Sequence, residues 1–565
     1  MSEEHAGGAV KALDALYEFE REPVTKDKLQ PGKYFAGLFA GEHVAGTEFV
    51  IGAMFVQWGV TPFDIFVGLL IGNALAVLTW TFLCAPIAVS TRLTLYWYLR
   101  RIAGPVMTTI YNVVNAFMFC ILAGCMITVS ASAVRIPFGI PEQTLWYPQD
   151  PRFVVVVLAV GALVTLLAIL GFKRLAQFAV VCSPWMFLMF IGGAVILLPK
   201  LAIMTDGVGS IQSFGDFWRL MGLTVWEGPA GVEAPMSFWK VAAFAWICNL
   251  AMNAGLSDMA ILRYAKSASY GLYTAFGVFL GHYLAWICAG IMGAATALIL
   301  QKSMNQIDPG TLAYFTLGVS GIIAVVLAGW TTSNPTLYRA GLALQAITPG
   351  WPRWMVTLAV GVATTIVACF PFVFTKLLDF VGYYGLLLMP AGAIVFAEHW
   401  ILPKLGVQKF WATRGGHTIS WPSLASWAIA IAAAIVLQRT GTLHLFFLFL
   451  PIWVLTIVLY IVFALLAGAR NVPVASKEDA PPVLPSSPAA APKVAATTDA
   501  PTLLAGAVAL GSLAVCLLWP IYIFLMGNDG YDARFETFKM WLVVPTLLYF
   551  IAGTYHAVKR DKNTA

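Results

Sequence analysis

Apolar runs long enough to cross a bilayer, about 18 or more residues each, recur fourteen times along this chain. Hydrocarbon offers no partner to a backbone N–H or C=O, so each run must satisfy its own backbone as a helix. The runs fall at 34–57, 62–90, 103–134, 153–171, 176–198, 238–262, 269–300, 312–333, 353–374, 378–402, 421–438, 443–467, 502–526 and 538–558. Only 11% of the residues are charged and mean hydropathy is +0.82, whereas a soluble domain carries roughly 25% charged residues. The pattern predicts an all-α polytopic membrane protein.

Lysine and arginine set the expected orientation. With the N-terminus in the cytoplasm, inside segments collect Lys11, Arg21, Lys26, Lys28 and Lys33, then Arg92, Arg100, Arg101, Lys173 and Arg174. Arg263, Lys266, Arg339, Arg353, Lys404, Lys409 and Arg414 continue the set, followed by Arg470, Lys477, Lys493, Lys559, Arg560 and Lys562. That majority of the basic residues predicts a cytoplasmic (inner) membrane protein with both termini inside. Residues 1–33 are polar and carry no signal-peptide pattern; 468–500, rich in Pro, Ala and Ser, read as a disordered linker before a final pair of spans.

Several function classes fall away. The net charge of +6 is scattered over loops, so no nucleic-acid partner is expected. The eight cysteines lie inside spans without a CxxC spacing, which supports neither a disulfide framework nor a zinc site. No HExxH, no histidine pair at helical spacing and no loop carboxylate pair is present, so no enzyme and no cofactor is expected.

Two spans are interrupted at their centres. The first reads Gly37-Leu-Phe-Ala-Gly41-Glu42-His43-Val-Ala45-Gly46-Thr47-Glu48, and the sixth reads Asn249-Leu-Ala-Met-Asn253-Ala-Gly255-Leu-Ser257-Asp258. Irregular backbone survives at membrane depth only where it lines a cavity. Ionisable groups there are functional candidates, and paired Gly-broken spans point to a transporter's substrate site. A break at Ala45-Gly46 would expose free carbonyls suited to Na⁺ and free amides suited to an anionic or hydrogen-bonding group. The competing reading is that Gly37, Gly41 and Gly46 let helices pack closely, which leaves Glu42, His43 and Glu48 unexplained. Glu42 and Glu48 do not share a helical face, so one is expected toward the cavity and the other toward a packing partner.

In the sixth span Trp246, Asn249 and Asn253 share a stripe, where an indole could stack on a flat heterocycle while amides read its edge. Interhelical amide bonding is the alternative. Asp258, Arg263 and Lys266 are placed at or past the cytoplasmic end, as a gate or snorkelling groups. The eighth span ends Ala328-Gly-Trp-Thr331-Thr332-Ser333-Asn334-Pro335. Its hydroxyls are hard Na⁺ ligands or bond back to their own helix, and Pro335 is expected to end or kink it. In the third span Asn112, Asn115, Phe117 and Phe119 read as packing residues first, and His282 in the seventh as an interior histidine.

These stretches resemble the nucleobase–cation symporters, the purine–cytosine permease family. "AFAWICNLAMNAGLSDMAILRYAKS" (242–267) resembles the family's sixth span, "LAGWTTSNPTLYRAGLALQ" (327–345) its eighth and "LLLMPAGAIVFAEHWILPK" (386–404) its tenth. The resemblance covers roughly residues 30–467. It implies a five-plus-five inverted-repeat (LeuT-type) core with broken first and sixth helices, about 12–14 transmembrane helices in all. The repeats would span about 34–198 and 238–402, followed by peripheral spans over 403–467 and an extra pair over 501–565.

It further implies Na⁺ or H⁺ symport of a nucleobase, hydantoin, allantoin or related ring by alternating access. Carried over by position, Ala328, Thr331 and Thr332 with backbone carbonyls near Glu42 and Ala45 would hold Na⁺. Gly46, Glu48, Phe117, Phe119, Trp246, Asn249, Asn253 and Asn334 are the substrate candidates. The family's third-span Trp-x-x-x-Gln is absent, and Glu42 and Glu48 are unusual additions that open the alternative of an amine or amino-acid-like substrate. Apart from a small-molecule substrate and the lipid bilayer no partner is expected, and the chain is expected to act as a monomer.

Overall fold

The computed structural model describes residues 18–143, 145–371, 377–472 and 499–564. Most of the polar N-terminal segment and of the 468–500 linker therefore lies outside the described residues. Among the described residues the secondary structure is helical, with no strand. Ten helices are long and apolar enough to cross a membrane, and three shorter apolar ones are Glu48–Gln57, Phe238–Ile247 and Arg353–Ala368.

Each of the fourteen expected spans is helical. The first comprises Gly32–His43 and Glu48–Gln57. The second is Asp64–Thr91, the third Leu95–Val134, the fourth Pro151–Ile169 and the fifth Phe172–Met204. The sixth is split into Phe238–Ile247, the single turn Leu250–Asn253, and Met259–Leu262. Then follow Ala268–Leu300, Val319–Gln345, Arg353–Ala368 and Phe380–Leu405. Trp421–Arg439, Phe449–Leu466, Ala500–Leu525 and Tyr531–Asp561 complete the set. Lys33, at the start of the first span, bonds Asp561, near the end of the last, so both lie on one side of the bundle.

One expectation is refined and one corrected. Leu95–Val134 is two helices meeting at Gly104, which leaves the helical conformation (φ 74°, ψ −179°) just before Pro105, so the expected start of the third span near 103 falls at this joint. The eighth runs straight through Pro335 to Gln345. Proline removes one backbone donor, the partner of the Thr331 carbonyl, while the neighbouring Trp330 and Thr332 carbonyls accept from Asn334 Nδ2 and Thr336 Oγ1, each at 2.7 Å.

Small residues let the central spans touch. A side chain at Gly329 would run into the Ser130 hydroxyl and the Met126 carbonyl of the third span. One at Gly281 would strike the His43 carbonyl where the first span breaks. Close approach at such points is how membrane helices gain packing energy without a hydrophobic driving force. The last two spans attach to the fifth: Tyr549 and Tyr531 donate to the Val181 and Ile196 carbonyls, each at 2.6 Å, and the Trp185 and Phe550 rings meet at 5.0 Å.

Candidate functional site

The first span stops at His43 and resumes at Glu48, with Val44 at φ −84°, ψ 61° turning the chain out of the helix. In the sixth span the break is centred on Gly255-Leu256-Ser257, and Leu256 adopts φ 64°. A bulky residue in the left-handed region is rare and survives only where its surroundings hold it. The backbone of Ala254 and Gly255 at this break lies so close to Gly392 of the tenth span that any side chain there would collide with it.

Side chains from both breaks, with the third, seventh, eighth and tenth spans, enclose a cavity of about 50 Å³. Its walls include Glu42, His43, Ala45, Glu48, Asn249 and Thr332. No lining residue is more than 7% exposed, so the cavity is occluded.

Two polar systems meet there. Thr332 Oγ1 lies 2.7 Å from the Glu42 carbonyl and 3.0 Å from the Ala328 carbonyl. The eighth span therefore presents its hydroxyl to the open carbonyl end of the first half-helix. Opposite, the Glu48 carboxylate accepts the Trp286 indole N–H, with His282 Nε2 at 3.6 Å. His282 stacks on Trp286 at 4.4 Å and 6°, and its Nδ1 is 3.2 Å from Asn249 Nδ2. A π-helical stretch, Phe279–Ala285, carries His282. Such a widened turn re-aims side chains and is common at functional sites.

Beyond the cavity, toward the end that carries the termini, lies a buried ion triad. Arg339 holds the Glu42 carboxylate with Nη1 at 2.5 Å and Nη2 at 2.9 Å, and bonds Asp258 Oδ1 with Nε at 2.9 Å and again with Nη2. The other Asp258 oxygen accepts the Trp80 indole at 2.6 Å. One layer further out, Arg263 donates to the Glu18 and Phe19 carbonyls, each at 2.6 Å, and Tyr338 donates to the Glu18 carboxylate at 2.9 Å. Glu20 lies 3.7 Å from Arg353. Burial pushes the Glu20 carboxyl above its ordinary range, with Arg263 and Arg353 pulling the other way. The segment from Glu18 is thus tied to the sixth, eighth and ninth spans, and to the fifth through the Phe172 amide, which donates to the Glu18 carboxylate at 3.2 Å.

The candidates divide accordingly. Glu42, Ala45, Glu48, Asn249 and Thr332 line the cavity, and Ala328 contributes its carbonyl to Thr332. Gly46 sits in the break against Val129, where a side chain would not fit. Thr331 turns instead to the fifth span, bonding its own helix at Leu327 and approaching Met186 Sδ at 3.8 Å. Phe119 is one layer behind, its ring 6.1 Å from Tyr384.

Others are elsewhere. Phe117 faces outward, 58% exposed, and the third span supplies Leu122 and Met126 to the cavity in its place. Trp246 donates to Thr79 at 2.9 Å and packs on Phe449. Asn253 accepts from the Ala254 amide at 2.5 Å, and Asn334 serves the helix backbone.

Arg339 and Asp258, placed by sequence at the cytoplasmic boundary, are fully buried, as is Arg263. Snorkelling is therefore wrong for Asp258 and Arg263. Each cation has fixed oxygen partners inside the bundle, which is what holding a charge there demands. The sequence carries no signal for Tyr384 or Trp286 and reads His282 as an interior histidine, although 282 and 286 stand four apart and hence on one helical face.

No protein-family profile matches the chain, and no curated protein matches it. Solved structures do. The chain is similar to Mhp1, a nucleobase-cation-symport-1 family transporter solved in a closed conformation with bromovinylhydantoin bound. The TM-score is 0.63 at 16% identity, over 82% of this chain and 98% of that one. It is also similar to a Na⁺-coupled sialic acid symporter in a substrate-bound outward-open state, with a TM-score of 0.56 at 13% identity, over 81% and 96% of the two chains. The chain therefore has the fold of these transporters, a multi-pass all-α membrane protein with a five-plus-five LeuT-type core broken in its first and sixth helices.

Proposed function

We propose that this chain is a secondary active transporter that couples a cation, Na⁺ or H⁺, to symport of a small nitrogen heterocycle by alternating access. The observation that carries the reading is the Thr332 hydroxyl meeting the Glu42 carbonyl beside an occluded cavity, at the first-span break. Na⁺ taking oxygens from Glu42, Ala45, Ala328, Thr331 and Thr332 would replace that hydrogen bond and hold the broken helix in one geometry. Thr331 would have to turn from its own helix to join, so Thr332 is the principal side-chain ligand.

The substrate site is assigned to the cavity between Glu48, Asn249, His282 and Tyr384. The flat His282–Trp286 stack and the Asn249 amide suit a ring with edge donors and acceptors. Similarity to a transporter solved with a hydantoin bound supports that class. A second reading, an amine-bearing solute, is favoured by Glu48, whose ion partner among the described residues is a histidine rather than a lysine or arginine. The excess of basic residues in segments at the termini-bearing end supports a cytoplasmic position for both termini. Repeats at about 34–198 and 238–402 would rock around the site.

Uptake into proteoliposomes separates these readings, using labelled cytosine, uracil, hypoxanthine, allantoin, hydantoin and choline with and without a Na⁺ gradient. Na⁺-driven accumulation of one ring supports the main reading. Accumulation of choline alone moves the assignment to the amine, and no accumulation under either a Na⁺ or a proton gradient overturns the heterocycle.

A further inference from the structure

A second and larger cavity, of about 600 Å³, lies outside the transport site between the fifth, eighth and fourteenth spans. Val180, Ile323, Leu327, Leu547 and Phe550 make its wall apolar along the membrane direction, while Lys33, Arg560 and Asp561 stand at the end that carries the termini. Cavities of roughly 300–1,000 Å³ are large enough for an organic ligand. Leu547 is half exposed on the outer surface of the bundle, so the cavity faces the hydrocarbon. A water-soluble ligand would have no route along such a wall. An amphiphile already in the bilayer would.

The charge at the mouth selects among amphiphiles. Among the described residues that line the mouth, two cations, Lys33 and Arg560, stand with one carboxylate, Asp561, which accepts from Lys33, Tyr34 (2.8 Å) and Gln177 (2.8 Å). An excess positive charge beside an arginine fork favours a phosphate with a further negative charge over a zwitterionic headgroup.

We propose that this groove binds one anionic phospholipid, with an acyl chain along Val180, Ile323, Leu327 and Phe550 and its headgroup phosphate at Lys33 and Arg560. The site is built by the fourteenth span, which gives the added C-terminal helices a role apart from the transport core. The lipid would fill the space between the fifth and fourteenth spans directly behind the face on which Thr331 meets Met186.

The test is native mass spectrometry of the delipidated full chain with added phosphatidylglycerol or phosphatidylcholine. The expected result is one phosphatidylglycerol retained, at least tenfold over phosphatidylcholine. Leu547→Trp, at a half-exposed position that tolerates bulk, should cut retention about tenfold, and Lys33→Glu with Arg560→Glu should erase the headgroup preference. Val436→Trp, on the 57% exposed face of the eleventh span, should change nothing. Equal retention of the two lipids, no retention, or undiminished retention by Leu547→Trp overturns the proposal. Should the charge-reversed protein not fold, Leu547→Trp decides alone. Because binding is read without transport, the result is independent of the symport assignment.

Discussion

Arg339 of the eighth span grips the carboxylate of Glu42 in the first span with both terminal guanidinium nitrogens, at 2.5 and 2.9 Å, with the guanidinium fully buried. Through Asp258 the same guanidinium fastens the sixth span. The two broken helices are therefore joined to an unbroken one just beyond their breaks. The alternating access proposed above would require elements on this side to part, and they are held by charges that cannot separate in hydrocarbon without being solvated. In that proposal, water reaching the triad would be both the consequence of opening and the condition for it.

Removing the cation alone should be severe. Arg339→Met leaves two carboxylates buried without their partner, which costs on the order of 3–5 kcal/mol. Thermal unfolding in detergent should show a large loss for Arg339→Met. Adding Glu42→Gln and Asp258→Asn should recover much of it, since residues of one network are not additive. Additive losses across the triple variant would show that the three groups act separately.

The two adjacent threonines should behave differently. Thr332 faces the Glu42 carbonyl, whereas Thr331 faces Met186. Thr332→Ala should raise the Na⁺ concentration for half-maximal uptake about tenfold, the equivalent of about 1.4 kcal/mol, and Thr332→Ser should restore it. Thr331→Ala should have the smaller effect. Equal effects would place both hydroxyls on the ion.

How much of this was legible follows from what periodicity can see. The interruption at Ala45-Gly46 was readable because glycine and ionised residues in hydrocarbon have few explanations, and the helix stops within two residues of it. Thr332 and Asn249 line the cavity. Phe117 does not, because its orientation depends on how the long third helix is rotated against its neighbours. Hydropathy reads Arg339 as a cytoplasmic loop residue, because Pro335 suggests that the helix ends there. The helix instead runs through the proline to Gln345, which carries the arginine one turn beyond it, to partners 81 and 297 residues away in sequence. Hydropathy contains no such pairing.

Glu48 should govern the charge preference of the site. Its carboxylate accepts from Trp286 and faces His282, so Glu48→Gln keeps the volume and removes the charge. Inhibition of uptake by cationic competitors should weaken at least tenfold while neutral rings keep their affinity to within about threefold. Competition assays on the two proteins decide this, and an equal loss for both classes would make Glu48 a packing residue.

The segment from Glu18 to Arg21 should loosen as pH rises. Burial raises the Glu20 carboxyl above the ordinary glutamate value of 4.5, so the docked segment binds the proton more tightly than the released one. Its contribution to docking is complete below the ordinary value and is lost as pH climbs through the raised one. Hydrogen exchange of residues 18–22, corrected for intrinsic rates, should accelerate over that interval. Glu20→Gln should remove the step. A step that persists in Glu20→Gln assigns it to another group.

Asp561, near the end of the last span, accepts from Lys33 and Tyr34 at the start of the first span and from Gln177 of the fifth. Hydrogen bonds to a charged group are worth about 1.5–3 kcal/mol each at most, and part of that is screened because Lys33 is 45% exposed. Asp561→Asn should therefore leave the fold intact and speed amide exchange at residues 33–38 and 172–178 by about tenfold, the equivalent of roughly 1.4 kcal/mol. Exchange in the seventh span, which the carboxylate does not touch, should be unchanged. Faster exchange everywhere would mean that the last span supports the whole bundle, and none anywhere would mean that the Phe550–Trp185 ring contact and the Tyr549 hydrogen bond to the Val181 carbonyl suffice to hold it in place.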